Sequence, residues 1–206
     1  VGVSGTTAIV GAKGENNSQG AAYVFTRSGT TWSQQAKLTA SDAASGDRFG
    51  DGADIDGDTA VVSAPQADIN TVSNAGAVYV FVRSGTSWSQ QAKLSASDPD
   101  TNEAFGGVRK VALLGDYLAV GKSSDAISGS GTENAGAVYM YLRSGTSWSQ
   151  QAKITPSDRV ATGVFGVSVA MSGSTLVVGA YGYDTYRGAA YVFTRSGTTW
   201  TQQAKL

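Results

Sequence analysis

Nearly the same twelve-residue segment occurs four times in the chain. The segment "RSGTTWSQQAKL" at 27–38 returns with few changes at 83–94, 143–154 and 195–206. Each copy carries one tryptophan: Trp32, Trp88, Trp148 and Trp200. These tryptophans recur at intervals of about 50 to 60 residues, a period typical of propeller blades. The repeat therefore predicts one supersecondary unit that is built four times and buries its core by stacking on its neighbours.

Each unit contains four parts in a constant order, and the second unit shows them clearly. "ADIDGDT" at 53–59 is a short apolar stretch that ends in a hairpin turn. "AVVSA" at 60–64 is apolar without alternation, which predicts a strand buried on both faces. "GAVYVF" at 76–81 is rich in β-branched and aromatic residues, as strands are. Each unit thus starts with three predicted strands.

The fourth part, "SWSQQAKL" at 87–94, admits two interpretations. Its alternation of apolar and polar residues predicts a half-exposed outer strand. "QQAKL" also has good helix propensity, so a short helix is the competing interpretation. The tight turn before it favours the strand, because a helix of this length is marginal on its own.

Composition limits the chemistry that is open to the chain. Its 206 residues are 41% hydrophobic and 15% charged, which suits one globular domain of ordinary size. With 15 basic and 16 acidic residues, nucleic acid is not an expected partner, and no apolar run approaches a membrane span. The absence of histidine and cysteine excludes Ser-His and Cys-His catalysis, disulfides and thiolate metal sites. An enzyme would need a base from Lys, Tyr or a carboxylate alone, so we expect none.

A second motif follows each outer strand. "ASD" or "PSD" is followed by a variable stretch and then by Phe-Gly, at Phe49, Phe105 and Phe165. With these motifs the chain resembles the FG-GAP repeat, the blade of the β-propeller in integrin α subunits and in many secreted or surface-attached bacterial proteins. Ser63-Ala64-Pro65 stands where the family has Gly-Ala-Pro. The resemblance covers essentially the whole chain.

The resemblance implies an all-β propeller of four four-stranded blades and an extracellular or cell-surface location. The expected blades cover residues 1–38, 39–94, 95–154 and 155–206. They form either a closed four-bladed ring or part of a larger propeller, since propellers have about 4 to 8 blades. An open arc would leave two bare blade faces, which we expect to pair with another copy of the chain.

Calcium-binding blades of the family carry Asp-x-Asp-x-Asp-Gly-x-x-Asp between the first two strands. Only "DIDGD", with Asp54, Asp56 and Asp58, comes near this motif, and its final aspartate is missing. Ca²⁺ takes about six to eight oxygen ligands, more than this short turn offers. We expect a plain hairpin turn and no cofactor, and these three residues are the weak candidates for calcium.

The two ends of such a blade differ in sequence. Turns between strands one and two and between three and four repeat the same "SG", "DG" and "RSGT" sequences at one end. The second-to-third loops at the other end vary: "KGENNSQ", "PQADINTVSNA", "KSSDAISGSGTENA" and "AYGYDTYR". Variable loops on a rigid scaffold are the usual carriers of recognition. The candidate ligand-binding residues are Asp68, Asp125, Tyr183, Asp184 and Tyr186.

Tyrosines at such positions stack on sugar rings or anchor protein partners, and the alternative is packing against their own blade. Three functions stay open: a recognition or adhesion module for a protein or glycan ligand, a carbohydrate-binding propeller, and a structural fragment that self-assembles. The first fits the repeat, the varied loops and the missing catalytic side chains.

Overall fold

The computed structural model describes residues 1–126 and 134–206 and contains four antiparallel sheets of four strands each. Consecutive strands are neighbours in every sheet, so each sheet is an up-and-down meander. The predicted all-β fold of four four-stranded blades is confirmed. "WSQQAKL" and its variants in blades 3 and 4 form the outer strand of each sheet, and the competing helix is not formed.

The strands follow the repeat. Blade 1 contains β1 (Gly2–Ser4), β2 (Thr7–Ala12), β3 (Ala21–Ser28) and β4 (Thr31–Leu38). Blade 2 contains β5 (Ala53–Asp56), β6 (Thr59–Ala64), β7 (Ala77–Ser84) and β8 (Ser87–Leu94). Blade 3 contains β9 (Val111–Leu114), β10 (Tyr117–Lys122), β11 (Ala137–Ser144) and β12 (Ser147–Ile154). Blade 4 contains β13 (Phe165–Ser172), β14 (Thr175–Ala180), β15 (Ala189–Ser196) and β16 (Thr199–Lys205). Two short turns with consecutive residues of positive φ, α1 (Glu15–Ser18) and α2 (Tyr183–Tyr186), lie between the second and third strands of blades 1 and 4.

A β-bulge interrupts the register of each outer hairpin. In blade 1 the register shifts between Val24 and Phe25, so that Gln35 is the extra residue of β4. A bulge re-aims a side chain relative to the regular strand. The Gln35 side chain accepts a hydrogen bond of 2.9 Å from the Trp88 indole of blade 2. Trp148 donates to Gln91 in the same way, so this bond connects the outer strands of blades 1 and 2 and those of blades 2 and 3.

The hydrophobic core lies between the blades. Three apolar clusters fill the spaces between blades 1 and 2, 2 and 3, and 3 and 4. The Phe-Gly segment enters each space: Phe49 is fully buried, and its ring lies edge-on to Tyr79 and Phe81 at centroid distances of 5.5 and 6.0 Å. Phe105 and Phe165 repeat this arrangement in the next two spaces. Buried aromatic pairs of this geometry contribute about 0.5–1.5 kcal/mol beyond their area.

One repeated glycine lets the Phe-Gly segment lie against the preceding blade. Gly20 has φ +85°, and a Cβ on it would lie 1.9 Å from the Phe49 carbonyl oxygen. Gly136 has φ +84° and would clash with Phe165 in the same way, at 2.0 Å. Only glycine combines this conformation with such close approach.

The blades at the two ends differ from the middle ones. All residues of β6 are buried, as the apolar run predicts for a strand covered on both faces. This prediction does not hold for β2 and β14, where Val10 is 39% and Val177 is 38% exposed. Among the described residues, no strand of blade 1 packs extensively against a strand of blade 4, so one side of each of these blades is uncovered in this structure.

Candidate functional site

The varied loops and the segments that join the blades form one end of the molecule, here called the loop end. In the part of the chain that the structure describes, it consists of residues 13–20, 39–52, 65–76, 95–110, 123–126, 134–136, 155–164 and 181–188. Backbone hydrogen bonds tie each joining segment to the preceding loop. Arg48 donates to Ser18 at 2.8 Å, Asn102 to Ser73 at 3.1 Å, and Val164 to Asn134 at 2.8 Å. The loop end is therefore a connected surface rather than a set of separate loops.

An Asp–Tyr–Lys triad anchors each joining segment to the blade that follows. The Tyr79 hydroxyl donates to Asp42 at 2.8 Å, and Lys93 donates to the same carboxylate at 2.6 Å. The same triad recurs in blade 3 as Asp98, Tyr139 and Lys153, and in blade 4 as Asp158, Tyr191 and Lys205. The aspartate is that of the "ASD" or "PSD" motif, so this motif serves as a clamp between blades.

Blade 1 closes its triad differently. Its tyrosine and lysine, Tyr23 and Lys37, both donate to Glu15 of α1. The carboxylate therefore comes from a loop of the same blade. The repeated Tyr and Lys are satisfied in all four blades, but only three of them use a carboxylate from a joining segment.

The triads change the acidity of their members. Partial burial alone would raise the pKa of Asp158, but hydrogen bonds from Lys205, Tyr183 and Tyr191 lower it to about 2. Burial and the bond to Asp158 raise the pKa of Tyr191 to about 12. The pKa values of Asp42 and Asp98 also fall, because their lysine and tyrosine partners outweigh the effect of burial. In each of these triads the aspartate is thus ionised at neutral pH and pairs with the lysine, while the tyrosine stays protonated and donates, which suits a clamp.

Blade 3 adds a buried ionic network to its triad. Lys122 stands at the position that is alanine in the other blades, and its side chain is only 2% exposed. It pairs with Glu103 of the joining segment and, at 3.2 Å, with Asp125. Asp125 is itself 2% exposed and also accepts from Lys153 and Arg159. A cavity of about 330 Å³ lies beside these residues.

The structure separates the candidate ligand residues into two groups. Asp68, Asp184 and Tyr186 are exposed at the loop end, and Tyr183 is half-buried with Lys205 over its ring. Asp125 is instead enclosed by three cationic side chains, so a ligand there would have to compete with all of them. Asp68 accepts a hydrogen bond of 2.9 Å from the Asn74 backbone through one carboxylate oxygen, and its other oxygen takes no part in this bond. The two groups therefore differ in access to solvent.

The loop 181–188 presents aromatic surface in an unusual backbone conformation. Asp184, Thr185 and Tyr186 all have positive φ, of 49°, 55° and 67°. Such angles are uncommon outside glycine and asparagine, and they mark a loop whose shape is held by its surroundings. Tyr186 is 73% and Tyr181 54% exposed, and their rings stack at 6.4 Å between centroids. The pair, here called the tyrosine platform, presents exposed aromatic surface at the loop end.

The three calcium candidates point to separate partners. Asp54 accepts from the Leu113 backbone at 2.8 Å and Asp56 from the Gly115 backbone at 2.7 Å, both across the junction with β9. Asp58 pairs with Arg83 of its own blade at 2.7 Å. Among residues 1–126 and 134–206, no group of three or more acidic side chains is arranged to hold a metal ion. In this structure the turn bridges two blades.

A cavity of about 650 Å³ lies between the first strands of blades 2, 3 and 4 and the first residue of the chain. Its lining comes from Val1, from 51–54 and 111–113, and from 168–171, so all four blades contribute. Asp54 lies at its wall, and burial raises the pKa of this carboxyl despite the backbone bonds from Leu113 and Ile55. This cavity shows that the blades curve around a shared axis.

Sequence reasoning missed the triads and the Lys122 network. The sequence did carry a signal for the triads, since Asp42, Tyr79 and Lys93 occupy constant positions in three repeated motifs. The signal for the network was one lysine where the other units have alanine, at the end of an apolar strand.

Four meander sheets around one axis, with repeated turns at one end and varied loops at the other, define a β-propeller module. A family model described as the FG-GAP repeat matches residues 32–81, 88–141 and 148–193, which is more than half of the chain. The chain belongs to the FG-GAP repeat family. Each match begins at a tryptophan and ends in the third strand of the next blade, so it spans a joining segment and its Phe-Gly. A search of the curated proteins found no match.

Repeats of this family are typical of extracellular proteins. No helix among the described residues is long and apolar enough to cross a membrane.

Proposed function

We propose that the chain is a non-enzymatic recognition module of an extracellular or cell-surface protein, and that its loop end binds a protein or glycan ligand. The observation that carries this proposal is the contrast between the two ends. Hydrogen bonds fix varied loops into one surface at the loop end, whereas the opposite end repeats one turn chemistry. A surface that is both rigid and varied is what selective binding requires.

The opposite end offers structural roles for its repeated side chains. Arg83 pairs with Asp58 and lies over the Trp88 ring at 5.3 Å, and Arg143 repeats both contacts with Asp116 and Trp148. Because these arginines are used in holding turns together, they leave little to distinguish one partner from another. This supports placing the ligand at the loop end.

A carbohydrate ligand is the second candidate, and the stacked pair Tyr181–Tyr186 favours it. Exposed aromatic faces provide large contact area at low entropic cost and suit the apolar faces of sugar rings. Asp184, beside this platform, supplies carboxylate oxygens that accept hydrogen bonds from sugar hydroxyls, since a carboxylate is an acceptor only.

Binding to a glycan array and to a panel of extracellular matrix proteins tests both candidates. The double variant Tyr181→Ala/Tyr186→Ala should lose at least about tenfold in affinity for the captured ligand, because exposed tyrosines are frequent hot spots. The control is Thr86→Ala, an exposed change in a repeated turn, which should bind normally. Equal melting temperatures exclude unfolding. If the control variant loses binding while the tyrosine variant keeps it, the ligand binds at the end with the repeated turns and the proposal is wrong.

The two candidates are separated by the array itself. Glycans bound in the absence of any protein favour the carbohydrate ligand. Matrix proteins that stay bound after enzymatic deglycosylation favour protein recognition.

A further inference from the structure

A lysine and two carboxyl groups are buried together in blade 3, where the joining segment 95–110 meets the end of β10. Lys122 is 1% exposed, Glu103 4% and Asp125 2%. The Lys122 ammonium contacts Glu103 and lies 3.2 Å from Asp125 Oδ1. It also donates to the Asp98 carbonyl at 2.8 Å and lies 5.7 Å from the centroid of the Tyr139 ring. A primary amine thus touches two carboxyl groups at a place with little exposure to solvent.

Burial changes the balance between an ion pair and an amide. Two buried charges lose their hydration, and their mutual attraction repays this cost only in part. An amide carries no net charge, so condensation removes both charges from the interior. The pair Lys93–Asp42 is in the opposite situation, since its side chains are 31% and 47% exposed and water stabilises the separate ions. Burial therefore favours an amide at Lys122 and an ion pair at Lys93.

The two carboxyl groups beside Lys122 have different surroundings. Asp125 accepts from Lys153 at 2.9 Å and from Arg159 at 2.5 Å, so two further cations balance its negative charge. Burial raises the pKa of the Glu103 carboxyl, although Lys122 beside it acts in the opposite direction. Glu103 is therefore the carboxyl that more readily becomes a neutral acid, the form that an amine attacks. Asp125 is the one suited to carry protons as a base.

We propose that Lys122 and Glu103 condense to an isopeptide bond, which ties the joining segment 95–110 covalently to β10. The ammonium gives one proton to Glu103, and the amine so formed attacks the carboxyl carbon of this neutral acid. Asp125 takes a second proton from the attacking nitrogen and passes it to the oxygen that leaves as water. An N–C bond forms and a C–O bond breaks. Of the three ammonium protons, one stays on the amide nitrogen and two leave with the oxygen, so Asp125 ends ionised as it began.

The surrounding contacts suit both the reaction and its product. The Asp100 backbone N–H donates to Glu103 Oε2 at 3.0 Å, where it stabilises the oxyanion during attack and the amide oxygen afterwards. The N–H that remains on Lys122 keeps the Asp98 carbonyl as its acceptor. The cavity of about 330 Å³ beside these residues receives the water that is released. The polar groups around the pair are thus already placed for an amide.

The bond gives a chain without cysteine a covalent cross-link. It closes the loop 103–122, and a cross-link of this kind stabilises a fold by restricting the unfolded chain. A disulfide needs an oxidising environment, whereas this condensation exchanges no electrons and needs no oxidant. Asp47 and Gly163 stand at the repeat position of Glu103, and they are followed by Ala64 and Ala180 at the position of Lys122. The cross-link is therefore specific to blade 3, and we expect one per chain.

The mass of the intact, denatured chain tests the bond. Wild type should be lighter than its sequence by about 18 Da, the mass of one water. Lys93→Met is the matched control, because it removes the exposed ion pair of blade 2, and it should show the same deficit relative to its own sequence. Lys122→Met should show no deficit, and Asp125→Asn should reduce the cross-linked fraction at least about tenfold. A wild-type chain of full mass overturns the proposal.

Tandem mass spectrometry of a tryptic digest locates the bond. Trypsin cuts after lysine and arginine but not after a lysine whose amine is acylated, so the bond joins peptide 94–109 to peptide 111–143. Finding these two peptides linked through Glu103 and Lys122 supports the proposal. A water loss confined to one peptide, whether between Lys122 and Asp125 or elsewhere in the chain, overturns it. Cross-linking of Asp125→Asn to the wild-type extent overturns the role of Asp125 as the base.

Discussion

The Phe105 ring of the joining segment lies edge-on to Tyr139 of blade 3, at 5.6 Å between centroids and 77° between planes. Both side chains are fully buried. The Tyr139 hydroxyl donates to Asp98, which lies earlier in the same joining segment. One tyrosine thus connects the hydrophobic and the ionic attachment of this segment to the blade.

Replacing Phe105 with alanine should destabilise the chain by about 3–5 kcal/mol, because a large buried ring leaves a cavity between blades. Phe105→Leu should cost less, since leucine fills part of the same space. Urea unfolding followed by tryptophan fluorescence measures both. A cost below about 1 kcal/mol for the alanine variant would show that the Phe-Gly segment does not hold the junction.

Lys122→Met should cost about 3–5 kcal/mol, because it leaves the carboxylate of Glu103 buried without its cation. Adding Glu103→Gln to this variant should restore a large part of the loss, since a neutral amide is cheaper to bury than a lone charge. Thermal unfolding of the single and double variants gives the coupling. Additive losses in the double variant would mean that the pair does not interact as the structure indicates.

Asp54→Ala should destabilise the chain by about 1–3 kcal/mol, because the Leu113 amide then loses its acceptor in a buried junction. Asp68→Ala, an exposed loop change, is the control and should stay within about 0.5 kcal/mol of wild type. Equal behaviour of the two variants in chemical denaturation would contradict a bridging role for Asp54.

Calcium should leave the melting temperature unchanged, within about 1 °C, when added in millimolar amounts or removed with EDTA. The reason is the separate engagement of Asp54, Asp56 and Asp58 by two backbone amides and an arginine. Differential scanning fluorimetry measures this directly. A rise of several degrees with Ca²⁺ but not with Mg²⁺ would identify a calcium site at this turn.

Acidification should weaken the triad of blade 4. The pKa of Asp158 is about 2 in the folded chain, below its usual value of 3.8, so the unfolded chain binds a proton there first. The stabilisation is therefore complete above about pH 4 and is lost as the pH falls toward 2. The stability difference between wild type and Asp158→Asn should shrink over this interval. A difference that grows with acidification would contradict the triad.

The sequence of the joining segments indicated their importance but not their contacts. Asp42, Tyr79 and Lys93 stand in three motifs that the repeat made visible, yet their proximity depends on how one blade stacks on the next. The distance along the chain between Asp42 and Lys93 is 51 residues, and no local rule brings them together. The same applies to Lys122, whose burial follows from the approach of Glu103.

The sequence by itself determined the repeating unit: four strands, their tight turns and the separation of constant turns from varied loops. These features depend on residue spacing and local backbone preference, which each blade carries within itself. Only the tertiary structure decided which copies of a side chain are buried. Val10 and Val62 share a repeat position and a strand conformation, but Val62 is buried by blade 1, whereas Val10 has no neighbouring blade. Burial depends on what packs against a face, and that is set by the arrangement of the blades rather than by the sequence of any one of them.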